Sequence, residues 1–387
     1  MKNKLPVIIL GGLVLYVISV GVSWAVFRYL NAPGAGKAVE VKLPTEGGLG
    51  IDVSGPKTAV CPLNGGMFTE AEKKIWEERR PLTVMIENHA DSRPQSGLSY
   101  ADVVYEAVSE GGITRFLAVF YCGAASEEAI VGPVRSARTY FLDWASEYGD
   151  YPLYVHVGGA NLPGAVNALG QIGEYGWLAK RNDLNQFSLG FPVFWRDYDR
   201  LGREVATEHT MYSNTGKLWA VAERRGLRAV DDKGNRWDKN FVSWKFKDDL
   251  AIDERGEVNK VSLGFVGDYA DYLVEWQYNK TSNSYKRFNG GQPHRDLDNE
   301  GQLEAKSVVG VFMQEKGPVD ELKHMLYGTT GKSKALVFQD GKAVEASWQK
   351  SKRVSRTIFT DTRGKEIVFN RGPVWIEVAA SGRKVSY

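Results

Sequence analysis

An unbroken run of uncharged, mostly apolar residues extends from Leu5 to Phe27. A helix rises about 1.5 Å per residue, so a run of this length is sufficient to cross a hydrocarbon core of roughly 30 Å. Lysines precede the run, and the tendency of basic residues to stay in the cytoplasm places the N-terminus inside the cell. The sequence therefore predicts a transmembrane anchor over residues 5–30, with residues 1–4 as a cytoplasmic tip.

A cleaved signal peptide is the alternative interpretation of this run. Its apolar part would usually span about 7 to 15 residues before a cleavage site, and the run here is longer, so we favour the anchor. The protein is then expected at the cell membrane as a single-pass protein, with the bulk of the chain extracytoplasmic. Residues 31–78 are rich in Gly, Pro and polar residues without a regular pattern, and we interpret them as a flexible extracytoplasmic tether.

Composition limits the classes of function. The 387 residues are 43% hydrophobic and 25% charged, which is typical of a globular protein with a hydrophobic core in each domain. Lys and Arg total 49 against 47 Asp and Glu, a net charge of +2, so no overall field favours nucleic acid as a partner. The cysteines are Cys61 and Cys122 alone, which permits one bridge, and Cys122 is more typical of a small buried residue than of a nucleophile.

Strand and helix signals alternate between residues 79 and 230. Residues 82–87 are a short apolar run, and two strand-like runs meet at Gly111 and Gly112, which indicates a hairpin. The stretch "VRSARTYFLDWASEYG" has apolar residues at helical spacing, and a short buried strand, "YPLYVHVGG", follows it. A second helix is expected over residues 214–225. These signals predict an α/β domain over residues 79–230, with a mixed sheet and flanking helices.

Helical signals fade beyond about residue 226. The remaining sequence consists of β-branched and aromatic runs separated by Gly, Asn and Asp, and its "QDGK" and "TRGKE" stretches are typical hairpin connections. We expect a separate β-rich C-terminal domain over residues 238–387. The predicted fold class is thus α/β followed by a β-rich C-terminal domain, behind an N-terminal transmembrane helix.

Two arginines three residues apart, Arg135 and Arg138, are the main candidates for a ligand site. They lie where a helix is predicted to begin, so both would share one side of its first turn, beside free backbone N–H groups. Such an end attracts carboxylates and phosphates. We expect Arg115 and Arg93 to contribute to ligand binding from neighbouring segments.

An internal role explains the same arginines equally well. Glu106 and Glu110 lie at the end of the preceding strand and are placed to neutralise the arginines inside the core, because buried charges are usually paired. The sequence leaves both explanations open.

Two histidines complete the set of candidates. His156 lies in an apolar strand, where a histidine is more often a satisfied core residue than a ligand or base. His209 lies in a loop close to Tyr212, and a core role and a site role are equally consistent with it. We take Tyr212 as a further ligand-binding candidate, and Glu106, Glu110, His156 and His209 as the candidates for acid–base catalysis.

Motifs of sharper specificity are absent from the sequence. It contains no P-loop, no G-x-S-x-G, no H-E-x-x-H and no calcium-loop spacing. We therefore expect neither a cofactor nor a metal ion.

Long stretches of the chain are recognisable. The strings "MIENHADSRPQSGLSYADVVYEAVSEGGITRFLAVF", "GPVRSAR", "YVHVGG" and "EHTMYSN" resemble, in order and spacing, the YerB-like family of bacterial cell-envelope lipoproteins, a family of unknown function. The later "PHRD" and "KALVFQDGKAVEASWQK" are similar to that family's C-terminal domain. The resemblance covers about residues 80 to 385 and implies an exported, membrane-tethered envelope protein.

One departure from the family concerns the tether. Members are typically held by a lipidated cysteine directly after the signal peptide, whereas the apolar run here contains no cysteine. We expect a transmembrane helix in place of the lipid, since a spanning helix holds more firmly than one acyl chain.

Three functions remain open. The first is a binding module, whose arginines and "RPQSG" loop would hold an anionic cell-wall fragment, from peptidoglycan or a phosphorylated polymer, at the membrane face. The second is a cell-wall hydrolase or transferase that uses Glu106 or Glu110 with His156 or His209. The third is a scaffold for envelope partners. We favour the binding module, with the membrane and the cell wall as partners.

Overall fold

The structure is a computed structural model that describes residues 51–265 and 269–387. The α-helices of the described chain are α1 (Glu70–Trp76), α2 (Thr139–Ala145), α3 (Ala168–Glu174), α4 (Trp177–Lys180), α5 (Gln186–Leu189) and α6 (Thr215–Arg224). Single 3-10 turns lie at Ala90–Ser92, Leu98–Tyr100, Thr207–His209 and Ala270–Tyr272.

Strands make up most of the regular structure. Those of the first part of the chain are β1 (Lys57–Val60), β2 (Met67–Thr69), β3 (Leu82–Glu87), β4 (Val103–Glu110), β5 (Ile113–Phe120), β6 (Ile130–Val131), β7 (Leu153–His156), β8 (Asp183–Asn185), β9 (Phe194–Arg196) and β10 (Met211–Asn214). Those of the second part are β11 (Lys245–Lys247), β12 (Lys260–Gly264), β13 (Leu273–Asn279), β14 (Ser284–Asn289), β15 (Gln292–Pro293), β16 (Glu304–Ala305), β17 (Ser307–Met313), β18 (Glu315–Lys316), β19 (Leu326–Tyr327), β20 (Gly331–Gln339), β21 (Lys342–Lys350), β22 (Ile358–Asp361), β23 (Val368–Asn370), β24 (Val374–Ala380) and β25 (Val385–Ser386).

A ten-stranded mixed sheet runs through the described chain in the order β22-β21-β20-β17-β24-β4-β5-β3-β7-β8. Strand β24, near the C-terminus, lies between β17 and β4 and is parallel to both. Its pairing with β4 runs from Val374 opposite Val103 to Glu377 opposite Glu106. The strands at this junction are almost entirely buried, as expected for parallel strands covered on both faces.

A second, antiparallel sheet has the order β15-β14-β13-β12-β25, with β16 paired to β14. Along β13 buried and more exposed residues alternate, because successive side chains of a strand point to opposite faces. The indole of Trp276 on this strand packs edge-on against Trp375 of β24, with 5.2 Å between ring centroids. The second sheet therefore shares its core with the large sheet.

The fold class predicted from the sequence is wrong. The described chain is mostly strands with few and short helices, the longest being the ten residues of α6, and one sheet contains strands from both supposed domains. The described residues, 51–265 and 269–387, belong to one compact unit. Local periodicity identified many of the strands, but it carries no information about pairing between β24 and β4, which are distant in sequence. The domain limits at residues 230 and 238 stay a prediction, to be tested by expressing the two segments separately.

The predicted transmembrane helix is not supported. Among the described residues, no helix combines the length and the apolar character needed to cross a bilayer. The run assigned to the anchor, the cytoplasmic tip and the first part of the tether lie outside the described residues.

Regular structure lies within the segment predicted to be a flexible tether. Strands β1 and β2 and helix α1 lie within residues 57–78, and a capping box between Thr69 and Glu72 begins the helix. Cys61 forms a disulfide with Cys122 across 61 residues of sequence. This bridge fixes the segment to the end of β5, which the Gly- and Pro-rich composition of the region did not indicate.

Candidate functional site

Three parallel strands of the large sheet end at one edge. Strands β3, β7 and β8 are parallel neighbours, so their carboxyl ends, at Glu87, His156 and Asn185, lie on the same side. Arg115, in the antiparallel strand β5, is the residue opposite Glu87. Crevices at the carboxyl ends of parallel strands are common ligand sites in open sheets. Most of the predicted site residues lie around this edge.

The segment "GPVRSAR", residues 132–138, is extended and lies between β3 and β7. The N–H of Arg135 donates to Met85 O at 2.9 Å, and the carbonyl of Arg135 accepts from Val157 N at 3.0 Å. Helix α2 begins only at Thr139, after Arg138, whose backbone is extended at φ −135° and ψ 149°. The expectation that both arginines share a helical turn is therefore wrong, because hydrogen bonds to the flanking strands hold this segment extended.

The first ion-pair group joins two arginines to one carboxylate. Glu110 lies 2.7 Å from Arg115 Nη2 through Oε1 and 2.6 Å from Arg138 Nη2 through Oε2. Burial raises the pKa of Glu110, but the two guanidinium groups outweigh burial and hold the pKa well below its usual value. Glu110 is thus ionised and carries two positive partners. Arg138 therefore has the internal role that the sequence left open, as the partner of a partly buried carboxylate.

The second group is centred on Glu87, which sequence analysis did not single out. His209 Nδ1 lies 2.9 Å from Glu87 Oε2, and Arg135 Nε lies 3.1 Å from Oε1 without the alignment of a hydrogen bond. The hydrogen bond with Glu87 raises the pKa of His209 above its ordinary value. Within the described chain, no residue accepts a hydrogen bond from the terminal nitrogens of Arg135, whose side chain is 25% exposed. Arg135 is the arginine that remains available to a ligand.

His156 is fully buried and held at both ring nitrogens. Nδ1 lies 2.6 Å from Gly158 O, and Nε2 lies 2.6 Å from Asp183 Oδ1. With both nitrogens engaged, the ring is placed to hold the end of β7 against β8. This matches the core role that its apolar surroundings favoured.

Glu106 belongs to a buried network away from solvent. Arg287 Nη2 donates to Glu106 Oε2, and Arg287 Nη1 lies 2.6 Å from Glu377 Oε1, with all three side chains almost completely buried. Asn88 donates to the other oxygen of Glu106 at 3.0 Å. The arginine partner of Glu106 is therefore Arg287 from the distant strand β14.

Arg93 and Tyr212 are also engaged inside the protein. Arg93 donates to Asn88 Oδ1 and Asn88 O, each at 3.0 Å, and to the backbone oxygen of Asp271 at 2.8 Å. Tyr212 is completely buried, with the Arg200 guanidinium 5.3 Å from its ring centroid. The Tyr212 hydroxyl has no hydrogen-bond partner but is buried, and the Arg93 guanidinium is held by these oxygens, so the binding roles expected of both residues stay predictions.

We call Arg115, Arg135 and Arg138 with their partners Glu87 and Glu110 the arginine edge. It combines three guanidinium groups with two carboxylates, a surplus of one positive charge before His209 is counted. Sequence analysis found the arginines and Glu110 but missed Glu87. The position of Glu87 as the last residue of a buried strand was the signal that could have identified it.

Comparisons with known proteins identify the family to which this chain is similar. Residues 66–228 match the family model "Protein of unknown function (DUF3048) N-terminal domain", and residues 262–376 match "Protein of unknown function (DUF3048) C-terminal domain". A curated protein of Bacillus subtilis (strain 168), "Putative lipoprotein YerB", is 30% identical over 323 residues, which cover 83% of this chain and 86% of the relative.

A solved structure is similar as well. The crystal structure of YerB protein from Bacillus subtilis superposes with a TM-score of 0.66 at 26% identity, over 85% of this chain and 100% of that chain. These matches confirm the resemblance found in the sequence. The chain belongs to the DUF3048 family and is a relative of YerB.

Proposed function

We propose that the protein is an extracytoplasmic, membrane-associated component of the cell envelope that binds an anionic cell-wall fragment at the arginine edge. The observation that carries this proposal is the surplus of guanidinium groups over carboxylates at the edge, with the terminal nitrogens of Arg135 left without a protein acceptor in the described chain.

Two findings support the location. The buried Cys61–Cys122 disulfide is typical of proteins that fold in an oxidising compartment outside the cytoplasm. The relative from Bacillus subtilis is described as a lipoprotein, which is a membrane-associated class. Both favour the outer face of the membrane.

The roles of the arginines differ. Arg115 and Arg138 are committed to Glu110 and to backbone carbonyls, since Arg115 Nη1 donates to Ser136 O at 2.9 Å and Arg138 Nη1 donates to Ala137 O at 2.7 Å. They hold the extended segment and supply a positive field. Arg135 supplies the direct contact, because its planar fork of donors fits a carboxylate or phosphate in a bidentate geometry.

Binding is favoured over catalysis by the state of the acid–base candidates. Glu106 and His156 are fully buried, and Glu110 and His209 are each held by an oppositely charged partner or hydrogen-bonded carboxylate. A general base must reach the proton it abstracts. None of these four groups combines solvent access with freedom from a partner in the described structure.

Co-sedimentation with purified cell walls tests the proposal. The full chain in mild detergent is mixed with walls that retain their anionic polymers and with walls from which these polymers have been extracted. We expect the protein to pellet with the former and to be released by salt, since exposed charges are screened over about 10 Å at 0.1 M. The proposal fails if the protein stays in the supernatant with both preparations. Arg363→Gln, in the turn after β22 at the opposite edge of the sheet, is the control for surface charge because its side chain is 84% exposed.

A further inference from the structure

We propose that His89, Asp91 and His209 form a binding site for a divalent transition-metal ion of the zinc class. Each residue offers one ligand atom, and these atoms all lie within 4.8 Å of one another. Imidazole nitrogens and a carboxylate oxygen are ligands that Zn²⁺ accepts in proteins. We call these three residues the histidine pair. The proposal departs from the expectation that the chain holds no metal, and it does not depend on the anion-binding function.

The two imidazole rings are stacked close together, and a rotation of the partly exposed His89 ring would turn both ring planes toward one ion. Their centroids are 4.8 Å apart and their planes are inclined by only 18°. His89 follows the end of β3, and His209 closes a 3-10 turn before β10, so two different parts of the chain supply the rings. A pair of histidines brought together in this way, with His89 partly exposed and His209 buried beside it, differs from a single core histidine such as His156.

The carboxylate of Glu87 holds the His209 ring of the histidine pair in place. It accepts a hydrogen bond from His209 Nδ1 at 2.9 Å, which leaves Nε2 as the atom for an ion. In metal sites the second ring nitrogen of a ligating histidine usually donates to a carboxylate, which fixes the tautomer and the ring orientation. Glu87 is itself buried and has Arg135 beside its other oxygen, so its position is well defined.

His89 and Asp91 are joined by a short local turn. The N–H of Asp91 donates to His89 Nδ1 at 3.1 Å, and Asp91 Oδ2 lies 3.7 Å from the same nitrogen. The lone pair at Nδ1 is therefore directed toward the backbone N–H of Asp91, with the carboxylate beside it, and an ion bound at this nitrogen would replace the backbone contact. The Asp91 side chain is 63% exposed and free to rotate onto an ion.

Charge and access both suit a cation. The carboxylates around the pair are Glu87, Asp91 and Glu208, and the guanidinium groups are those of Arg135 and Arg203, the latter bonded to the backbone oxygen of Asp91 at 2.6 Å. The local balance is negative by one charge when the histidines are neutral. His89 is partly exposed, so an ion would have three protein ligands and an open side for water or ligand, as in catalytic or exchangeable sites rather than closed structural ones.

Titration of the tag-free full chain in detergent with ZnCl₂, after removal of metal by a chelator, tests the site by calorimetry. We expect one ion per chain. Asp91→Asn, which changes an exposed residue and leaves the fold intact, should weaken binding at least tenfold, and His209→Gln should abolish it. Glu87→Gln should weaken binding by about 10- to 100-fold, the usual effect of losing a supporting carboxylate.

A histidine–carboxylate pair elsewhere in the chain provides the matched control. His324 Nδ1 lies 2.7 Å from Asp320 Oδ2, so His324→Gln removes a similar pair and should leave zinc binding unchanged. Substitution of Co²⁺ should give visible absorption bands that disappear in His89→Gln. Zinc binding that survives in both Asp91→Asn and His209→Gln, or no heat of binding up to about 1 mM zinc, would overturn the proposal.

Discussion

Arg287 and Glu106 form an ion pair in which both side chains are completely buried, although 181 residues separate them in sequence. Arg287 lies on the antiparallel sheet and Glu106 on the large sheet, so the pair connects the two sheets through the core. The guanidinium also lies 4.5 Å from the ring centroid of Trp375. A charged group at this depth needs its partner, because an isolated buried charge is very costly.

The two carboxylates around Arg287 should differ in their contribution to stability. Burial raises the pKa of Glu377 to about 8; the Arg287 guanidinium opposes the rise and the Glu106 carboxylate adds to it. Glu377 is then largely neutral at pH 7, which leaves the ion pair with Glu106 as the charged contact of Arg287. We predict that Glu106→Gln lowers the free energy of unfolding by about 3 to 5 kcal/mol. Glu377→Gln, which replaces one neutral group by another, should cost much less in urea denaturation. Equal losses in the two variants would refute this assignment.

The raised pKa of Glu377 also predicts a pH dependence. The ordinary value is 4.5 and the folded value is about 8, so between these limits the folded state binds more protons than the unfolded state. The contribution of Glu377 to stability is fully present below pH 4.5 and is lost as the pH rises through 8. Unfolding free energies measured across this window should fall less steeply with pH in Glu377→Gln than in the wild type. Parallel curves would show that Glu377 does not titrate in this range.

The Cys61–Cys122 disulfide should stabilise the N-terminal segment strongly. It closes a loop of 61 residues in sequence separation, for which the loss of chain entropy corresponds to about 4 kcal/mol. We predict that the double variant Cys61→Ser and Cys122→Ser has an unfolding free energy lower by about this amount. The wild type measured with a thiol reductant serves as the comparison, and a variant as stable as the oxidised protein would contradict the prediction.

Arg138 and Glu110 should not be equivalent in stability. Removal of Arg138 leaves Glu110 paired with Arg115, whereas removal of the Glu110 charge leaves two buried guanidinium groups together. We therefore predict that Glu110→Gln costs about 3 to 5 kcal/mol and that Arg138→Gln costs clearly less. Glu345→Gln, on an exposed position of β21, is the control for loss of a carboxylate. A larger loss from Arg138→Gln than from Glu110→Gln would show that Arg115 does not compensate.

Sequence reasoning identified the elements that depend on local pattern. The hairpin of β4 and β5 around Gly111 and Gly112, the helix α6 with its Asn214 cap, and the hairpin of β20 and β21 were all predictable from turn chemistry and periodicity. The grouping of Arg115 with Arg135 and Arg138 was also expected from the sequence, because charged residues are dense at the predicted strand and helix ends of this region.

Pairing between strands and residues that are distant in sequence could not be predicted from local sequence patterns. The insertion of β24 beside β4 and the choice of Arg287 as partner of Glu106 depend on the complete packing of the chain. The extended conformation of Arg135 and Arg138 was mispredicted for a similar reason. The apolar spacing after Val134 is helical, but hydrogen bonds to β3 and β7 outweigh it until Thr139. Likewise, the proximity of His89 and His209 follows from tertiary structure alone.

Calorimetric titration of the full chain with poly(glycerol phosphate) and with an acidic muropeptide tests the central claim, that Arg135 binds an anionic envelope ligand. We predict binding that weakens with salt, a loss of at least tenfold in affinity for Arg135→Gln, and an intermediate loss for Arg135→Lys, which keeps the charge but lacks the bidentate fork. An uncharged N-acetylglucosamine oligomer should not bind, and Arg363→Gln should bind like the wild type. Wild-type affinity in Arg135→Gln for both anionic ligands, or no binding of either by the wild type, would contradict the account.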